Sequence, residues 1–212
     1  MNALPPEMEG EAAVSSGADL AALAASRICH DLVSPLGAIG NGVELMEMTG
    51  APGGAEMALI KESVADATAR IRFFRIAFGA AQPGQQVGEE EWRPALEARA
   101  RGSRMKVDWG PSDTLPRAEA KLAFLALACL ESACAYGGTA GATRGARGAW
   151  SLSLRAERLR FDEACWALLD GTPIPPDLPP AAVQFALLPE AARHAGRRLR
   201  IERGPSRVEI RF

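Results

Sequence analysis

Residues 26–46 read SRICHDLVSPLGAIGNGVELM, and the spacing of their apolar positions decides the fold of the N-terminal third. Across Asp19–Met48, Leu20, Leu23, Ile28, Leu32, Leu36, Ile39, Val43 and Met46 recur mostly at three- and four-residue steps, which predicts one long helix with a single apolar stripe. His30 stands two positions from both Ile28 and Leu32, so about 200° of helical rotation carries it off the stripe and toward solvent. Pro35, mid-helix, deletes the amide that would bond the Asp31 carbonyl and bends the chain. Taken singly, His30, Asp31, Ser34 and Pro35 read as surface polars and a bend. The combination His-Asp-x-x-Ser-Pro on one helix is far more specific, and a functional site is a place where such helix strain is tolerated.

Working outward, the chain turns at 49–54, TGAPGG, a dense cluster of helix stoppers. A second helix is predicted over Glu56–Phe78, where Met57, Ile60, Val64, Ala67, Ile71, Phe74 and Phe78 alternate by three and four as in a coiled-coil seam. A two-helix hairpin does not bury such a seam by itself. Pairing two hairpins across a two-fold axis gives a four-helix bundle and predicts a homodimer; the competing arrangement packs the hairpin on its own C-terminal half. Residues 1–15 are acidic and proline-bearing, a disordered lead with no basic end or apolar run of a signal peptide. The run GAAQPGQQVG at 79–88 has linker composition. These features divide the chain into a bundle domain at 16–79, a linker at 80–88 and a second domain at 89–212.

The second domain reads as α+β, a small α/β sandwich. Helices are predicted at 90–101 and 117–136, and strands at 105–109 and 150–156, with the Gly-rich stretch 137–148 as a flexible connection. Helices at 161–169 and 181–195 flank a Pro-rich loop, 173–180. Two alternating strands, 198–203 and 207–212, close the chain around Gly204-Pro205, so the sheet is mostly antiparallel. Composition sets the outer limits. Aromatics are only 6% of the 212 residues, which favours close-packed helices over a β-sandwich. A net charge of −2 excludes a global pull toward nucleic acid or an anionic membrane. No apolar run reaches the length of a bilayer span. The four cysteines, Cys29, Cys129, Cys134 and Cys165, lack metal spacing and read as core thiols of a cytoplasmic protein.

The run CHDLVSPLGAIGNGVELM resembles the histidine box of the dimerisation and phosphotransfer domain of bacterial sensor kinases. More narrowly it resembles the ChpT-type histidine phosphotransferases of alphaproteobacteria, as does Arg70–Gly79, RIRFFRIAFG, at the end of the second helix. The resemblance is sharp over residues 20–79 and rests on the order of elements over 80–212. It implies a dimeric four-helix bundle followed by a degenerate relative of the histidine-kinase ATP-binding domain. It also implies a phosphoryl relay between the receiver-domain aspartates of a hybrid sensor kinase and of response regulators, with His30 as carrier. Asp31 would fix the ring tautomer and Ser34 would position water or the phosphoryl group. Arg27 would neutralise phosphoryl charge or meet the receiver's acidic rim, with Val33 beside it. A hairpin turning near residue 52 sets residue 74 level with His30, so Arg70, Phe73 and Arg75 read either as an arginine-and-aromatic docking surface or as extra bundle core with solvated arginines.

The resemblance implies no ATP use and no intrinsic cofactor, the partner receiver supplying Mg²⁺. In kinases of this kind an Asn-bearing helix holds the metal; in Leu130-Glu131-Ser132-Ala133, Ser132 stands at that position. No D-x-G-x-G turn follows, Asp170-Gly171-Thr172-Pro173 being the nearest approach, and the glycines of 137–148 lack the Lys-Ser/Thr ending of a P-loop. Two other classes compete: an ATP-dependent kinase with an atypical nucleotide site, and a non-catalytic dimeric scaffold or kinase inhibitor. His194, beside a Gly stop at a helix end, reads as a cation suited to the helix dipole.

Overall fold

The stripe of residues 19–48 folds as one helix, α1 (Gly17–Thr49), and the seam of residues 56–78 as a second, α2 (Gly54–Ala77), in a computed structural model that describes residues 17–49, 54–101 and 103–212. At 1.5 Å per residue α1 is about 50 Å long. The two helices pack side by side as a hairpin. Glu56 in the first turn of α2 and Arg75 in its last suit the helix dipole. The expected disordered lead at 1–15 and the apex of the turn at 50–53 lie outside the described residues.

After the hairpin come β1 (Gln86–Val87), α3 (Glu89–Arg101), β2 (Met105–Trp109), β3 (Leu115–Pro116), α4 (Arg117–Ala133), β4 (Gly138–Arg144), β5 (Trp150–Arg155), α5 (Glu163–Ala167), α6 (Val183–His194), β6 (Arg200–Arg203) and β7 (Arg207–Arg211). Five strands form one sheet in the order β2-β4-β5-β7-β6. The β2–β4 pair is parallel and the remaining pairs are antiparallel. The fold class read from the sequence, α+β with an N-terminal helical hairpin, is the architecture observed.

Two segments differ from expectation. The Gly-rich stretch 137–148 is no flexible connection, because β4 lies inside the sheet between β2 and β5. Ala140 and Ala142 are buried while Thr139 and Thr143 are exposed, a period-two pattern written in residues small enough to pass for a loop. Glycine is required at Gly138, where a Cβ would lie 2.7 Å from the Arg155 carbonyl oxygen. The segment 80–88 is tied down rather than loose. β1 pairs with β3, Val87 is buried, and Lys121 Nζ donates to the Gly79 carbonyl at 3.0 Å.

The root of the hairpin belongs to the core of the second half. Leu20 and Ala24 of α1 and Phe73, Phe74, Ile76 and Ala77 of α2 join one buried cluster with Leu122–Leu130 of α4, Phe185 and Leu188 of α6, and Leu152, Leu154, Val208 and Ile210 of the sheet. Beyond that root the hairpin has no such cover: Leu36, Val43, Val64 and Ile71 are 57%, 43%, 47% and 50% exposed. Among the described residues no helix is long and apolar enough to cross a membrane.

Candidate functional site

His30 projects from α1 with its side chain 84% exposed, off the stripe as its spacing requires. Its Nδ1 lies 3.2 Å from Asp31 Oδ1. An ionised carboxylate only accepts, so this contact is a hydrogen bond when Nδ1 carries the proton, which leaves the lone pair on Nε2. The other carboxylate oxygen, Asp31 Oδ2, accepts from Arg27 Nε at 2.9 Å. Neighbouring helix residues point about 100° apart, so spacing alone does not deliver the His30–Asp31 contact. The pair at i, i+4, Arg27 and Asp31, faces one way and turns the carboxylate.

Arg27 is not on an outward rim. Besides bonding Asp31, its Nη1 donates to the Ala181 carbonyl at 2.7 Å, in the 3₁₀ turn Pro180–Ala182 that leads into α6. Of the two readings of Phe73, docking and core, the structure takes the core: it is 1% exposed, tilted against Phe124 at 5.1 Å between ring centres, and covered by the Arg99 guanidinium. A side chain sealed in this way has no surface to offer. Arg75 is 61% exposed and pairs with Glu91 of α3 at 3.1 Å. It lies more than a turn nearer the root than the His30 level, because Arg70 is the α2 residue that meets Asp31.

Arg70 Nη1 donates to the Asp31 backbone carbonyl at 3.3 Å, and its Nε to Asp66 Oδ2 at 2.9 Å. That carbonyl is the one Pro35 leaves without its helical donor. Val33 is 67% exposed and Ser34 is exposed one turn beyond His30. A cavity of about 210 Å³ behind the histidine is lined by Arg27, Asp31, Asp66, Arg70, Phe73 and Arg99, among others. Arg99, Asp66 and Ala181 were not legible as site residues, although Arg27–Asp31 and Asp66–Arg70 both carry the i, i+4 signal of a helix ion pair. Glu131, which matches the metal-helix motif of kinases, accepts from Arg99 Nε at 2.7 Å. Ser132 donates to the Cys129 carbonyl at 2.6 Å, one turn back on α4. Cys129, Cys134 and Cys165 are buried as expected, whereas Cys29, off the stripe, is exposed.

The histidine phosphotransferase C-terminal domain matches residues 89–207. The chain is similar to the protein phosphotransferase ChpT of Brucella abortus (strain 2308), 43% identical over 126 residues. That match takes in 58% of this chain and 60% of the relative, so it spans about three fifths of the curated protein. The solved structure of a bacterial phosphotransferase is 31% identical, covering 92% of this chain and 96% of that one with a TM-score of 0.76.

Proposed function

Because the chain belongs to the histidine phosphotransferase family, we propose that it relays a phosphoryl group between the receiver-domain aspartates of a hybrid sensor kinase and of response regulators through a phosphohistidine at His30. The observation that carries this reading is an imidazole 84% exposed on a long helix, with a carboxylate 3.2 Å from Nδ1. In the first half-reaction the Nε2 lone pair attacks phosphorus in line. The bond from phosphorus to the aspartyl oxygen breaks, and the receiver carboxylate leaves with its electron pair. Asp31 meets the positive charge that builds on the ring. The second half-reaction reverses these steps onto another receiver, and the receivers bring Mg²⁺ and the acidic pocket.

On this reading residues 16–79 are the phosphotransfer and dimerisation domain and 89–212 the degenerate kinase-ATPase-like domain, in a cytoplasmic homodimer that binds neither nucleic acid nor membrane. Val33, Ser34 and Arg75, all exposed, are the receiver-facing residues. ATP plays no part: Ser132 stands where a kinase's metal-binding Asn would be, and its hydroxyl donates to the Cys129 carbonyl, which supports this. The experiment is transfer from a panel of phosphorylated receiver domains. The wild-type chain gains an acid-labile phosphoryl group, and His30→Gln, which keeps polarity but forms no stable phosphoramidate, gains none while retaining its fold. Acid-labile uptake by His30→Gln would defeat the assignment.

A further inference from the structure

Resting on the reading of His30 as the phosphoryl carrier, we propose that Arg27 and Arg70 are positioning residues that clamp Asp31 from inside the fold, and that this clamp, anchored on the C-terminal half, presets the His30 ring with its proton on Nδ1 and its lone pair on Nε2. Exposure separates the roles: His30 is 84% exposed, Asp31 12% and Arg27 20%. The nucleophile faces solvent while the groups that orient it are drawn into the protein.

Each bond in the clamp has a reason. Arg27 takes Asp31 Oδ2, so the carboxylate is held with Oδ1 toward His30 Nδ1. Pro35 strips the Asp31 carbonyl of its donor from the following turn, and Arg70 Nη1 supplies one from the neighbouring helix. Arg70 is itself braced by Asp66, one turn earlier on α2. The residue that weakens α1 thus creates the acceptor by which α2 grips it beside the histidine. Arg27 is fixed by the Ala181 carbonyl, 154 residues away in the chain. The C-terminal half therefore contributes a backbone acceptor to the site, and a domain without the motifs of a nucleotide site retains a task in holding the nucleophile.

The test uses the full chain carrying His194→Gln, which leaves His30 as its one imidazole. Ring ¹⁵N NMR in alkaline buffer, where imidazole is neutral, reads the tautomer directly. Phosphoramidate serves as the phosphoryl donor because so small a molecule needs no docking surface. The clamp predicts a ring protonated on Nδ1 and a product phosphorylated on Nε2. Arg27→Ala and Arg70→Ala, checked for an unchanged melt, each slow uptake from phosphoramidate by about tenfold, the low end of the scale for losing the partner that orients a metal-ligating histidine. Both shift the tautomer toward the Nε2–H form, and Arg70→Lys, which restores a donor, recovers most of the rate. The proposal is overturned if His30 in the parent carries its proton on Nε2. It is also overturned if the alanine variants keep parental rate and tautomer with phosphoramidate and lose only KM with a phosphorylated receiver, the behaviour of docking residues. Failure of the functional reading looks different: no phosphoryl group reaches His30 of the parent from any donor, while the tautomer still decides the clamp.

Discussion

At Glu119, in the first turn of α4, one carboxylate accepts from Arg144 Nε at 2.7 Å and from Trp150 Nε1 at 3.0 Å, with Arg197 a further 3.6 Å away. Burial alone would raise this carboxyl. The hydrogen bonds from Arg144 and Trp150 and the charges of Arg144 and Arg197 outweigh it and hold the group below the ordinary carboxylate value. A depressed carboxylate stabilises the fold fully above its unfolded value, about 4.3 for Glu, and that contribution disappears as pH falls through the lower folded value. Melting temperature is therefore expected to drop as pH falls below about 4.3, and Glu119→Gln to flatten that drop while lowering stability at neutral pH; a variant with the parental acid profile would remove Glu119 as the cause. Residues differ in how far sequence reveals such ties. His30 and Asp31 were legible because a polar pair off an apolar stripe is a local pattern. Arg27 was read against His30, three positions on, when its partner is Asp31, four positions on. The Ala181 carbonyl has no side-chain signature and joins α1 across the whole chain.

Elements were legible where periodicity is strong, and α1, α2, β2, β5 and the closing hairpin of β6 and β7 follow it. The strand β4 escaped because its alternation is carried by Ala140 and Ala142 against threonines, and Gly138 serves close packing rather than flexibility. Level along the hairpin was also misplaced: arithmetic from the turn put residue 74 beside His30, whereas the Arg70–Asp31 bond sets the alignment nearly a turn higher. What holds the two helices at that alignment includes Gly42. A Cβ there would lie 2.6 Å from Ile60 Cγ1, so the glycine lets α1 approach α2. Gly42→Leu is expected to lower unfolding free energy by about 1–3 kcal/mol through overpacking, read as a lower denaturant midpoint with an unchanged slope. Gly42→Leu combined with Ile60→Ala is expected to recover part of that loss, and no recovery would show that the cost arises elsewhere.

The hairpin has two ends with different fates, and this bears on the assembly of the whole molecule. Its root is sealed, with Phe73 1% and Phe74 3% exposed, so the packing of the hairpin on its own C-terminal half is real at that end. Farther out, Leu36, Val43, Leu59, Val64 and Ile71 remain in water, 41–57% exposed, although Val64 and Ile71 belong to the same seam as Phe74. Removing an apolar side chain of this size from water is worth roughly 1.5–3 kcal/mol when it starts fully exposed, so half-exposed ones yield about half as much. Association costs about 4–15 kcal/mol in lost freedom. Five such residues on each of two copies together supply a gain of comparable or greater size, whereas one or two would not. A second copy of the same stripe, matched across a two-fold axis, would cover them without any new sequence. Light scattering of the full chain is expected to give about twice 22.4 kDa. Ile71→Asp is the sharper test, since the side chain is half in solvent within one chain but lies in the proposed contact. Placing an unpaired charge in an apolar interface costs several kcal/mol, so the variant is expected to fall to the mass of one chain while the melt of its second half, rooted in Phe73, Phe74 and α4, is retained. A wild-type chain that scatters as a single copy at micromolar concentration, or an Ile71→Asp variant that keeps the double mass, would remove the bundle and leave the exposed stripe to some other partner.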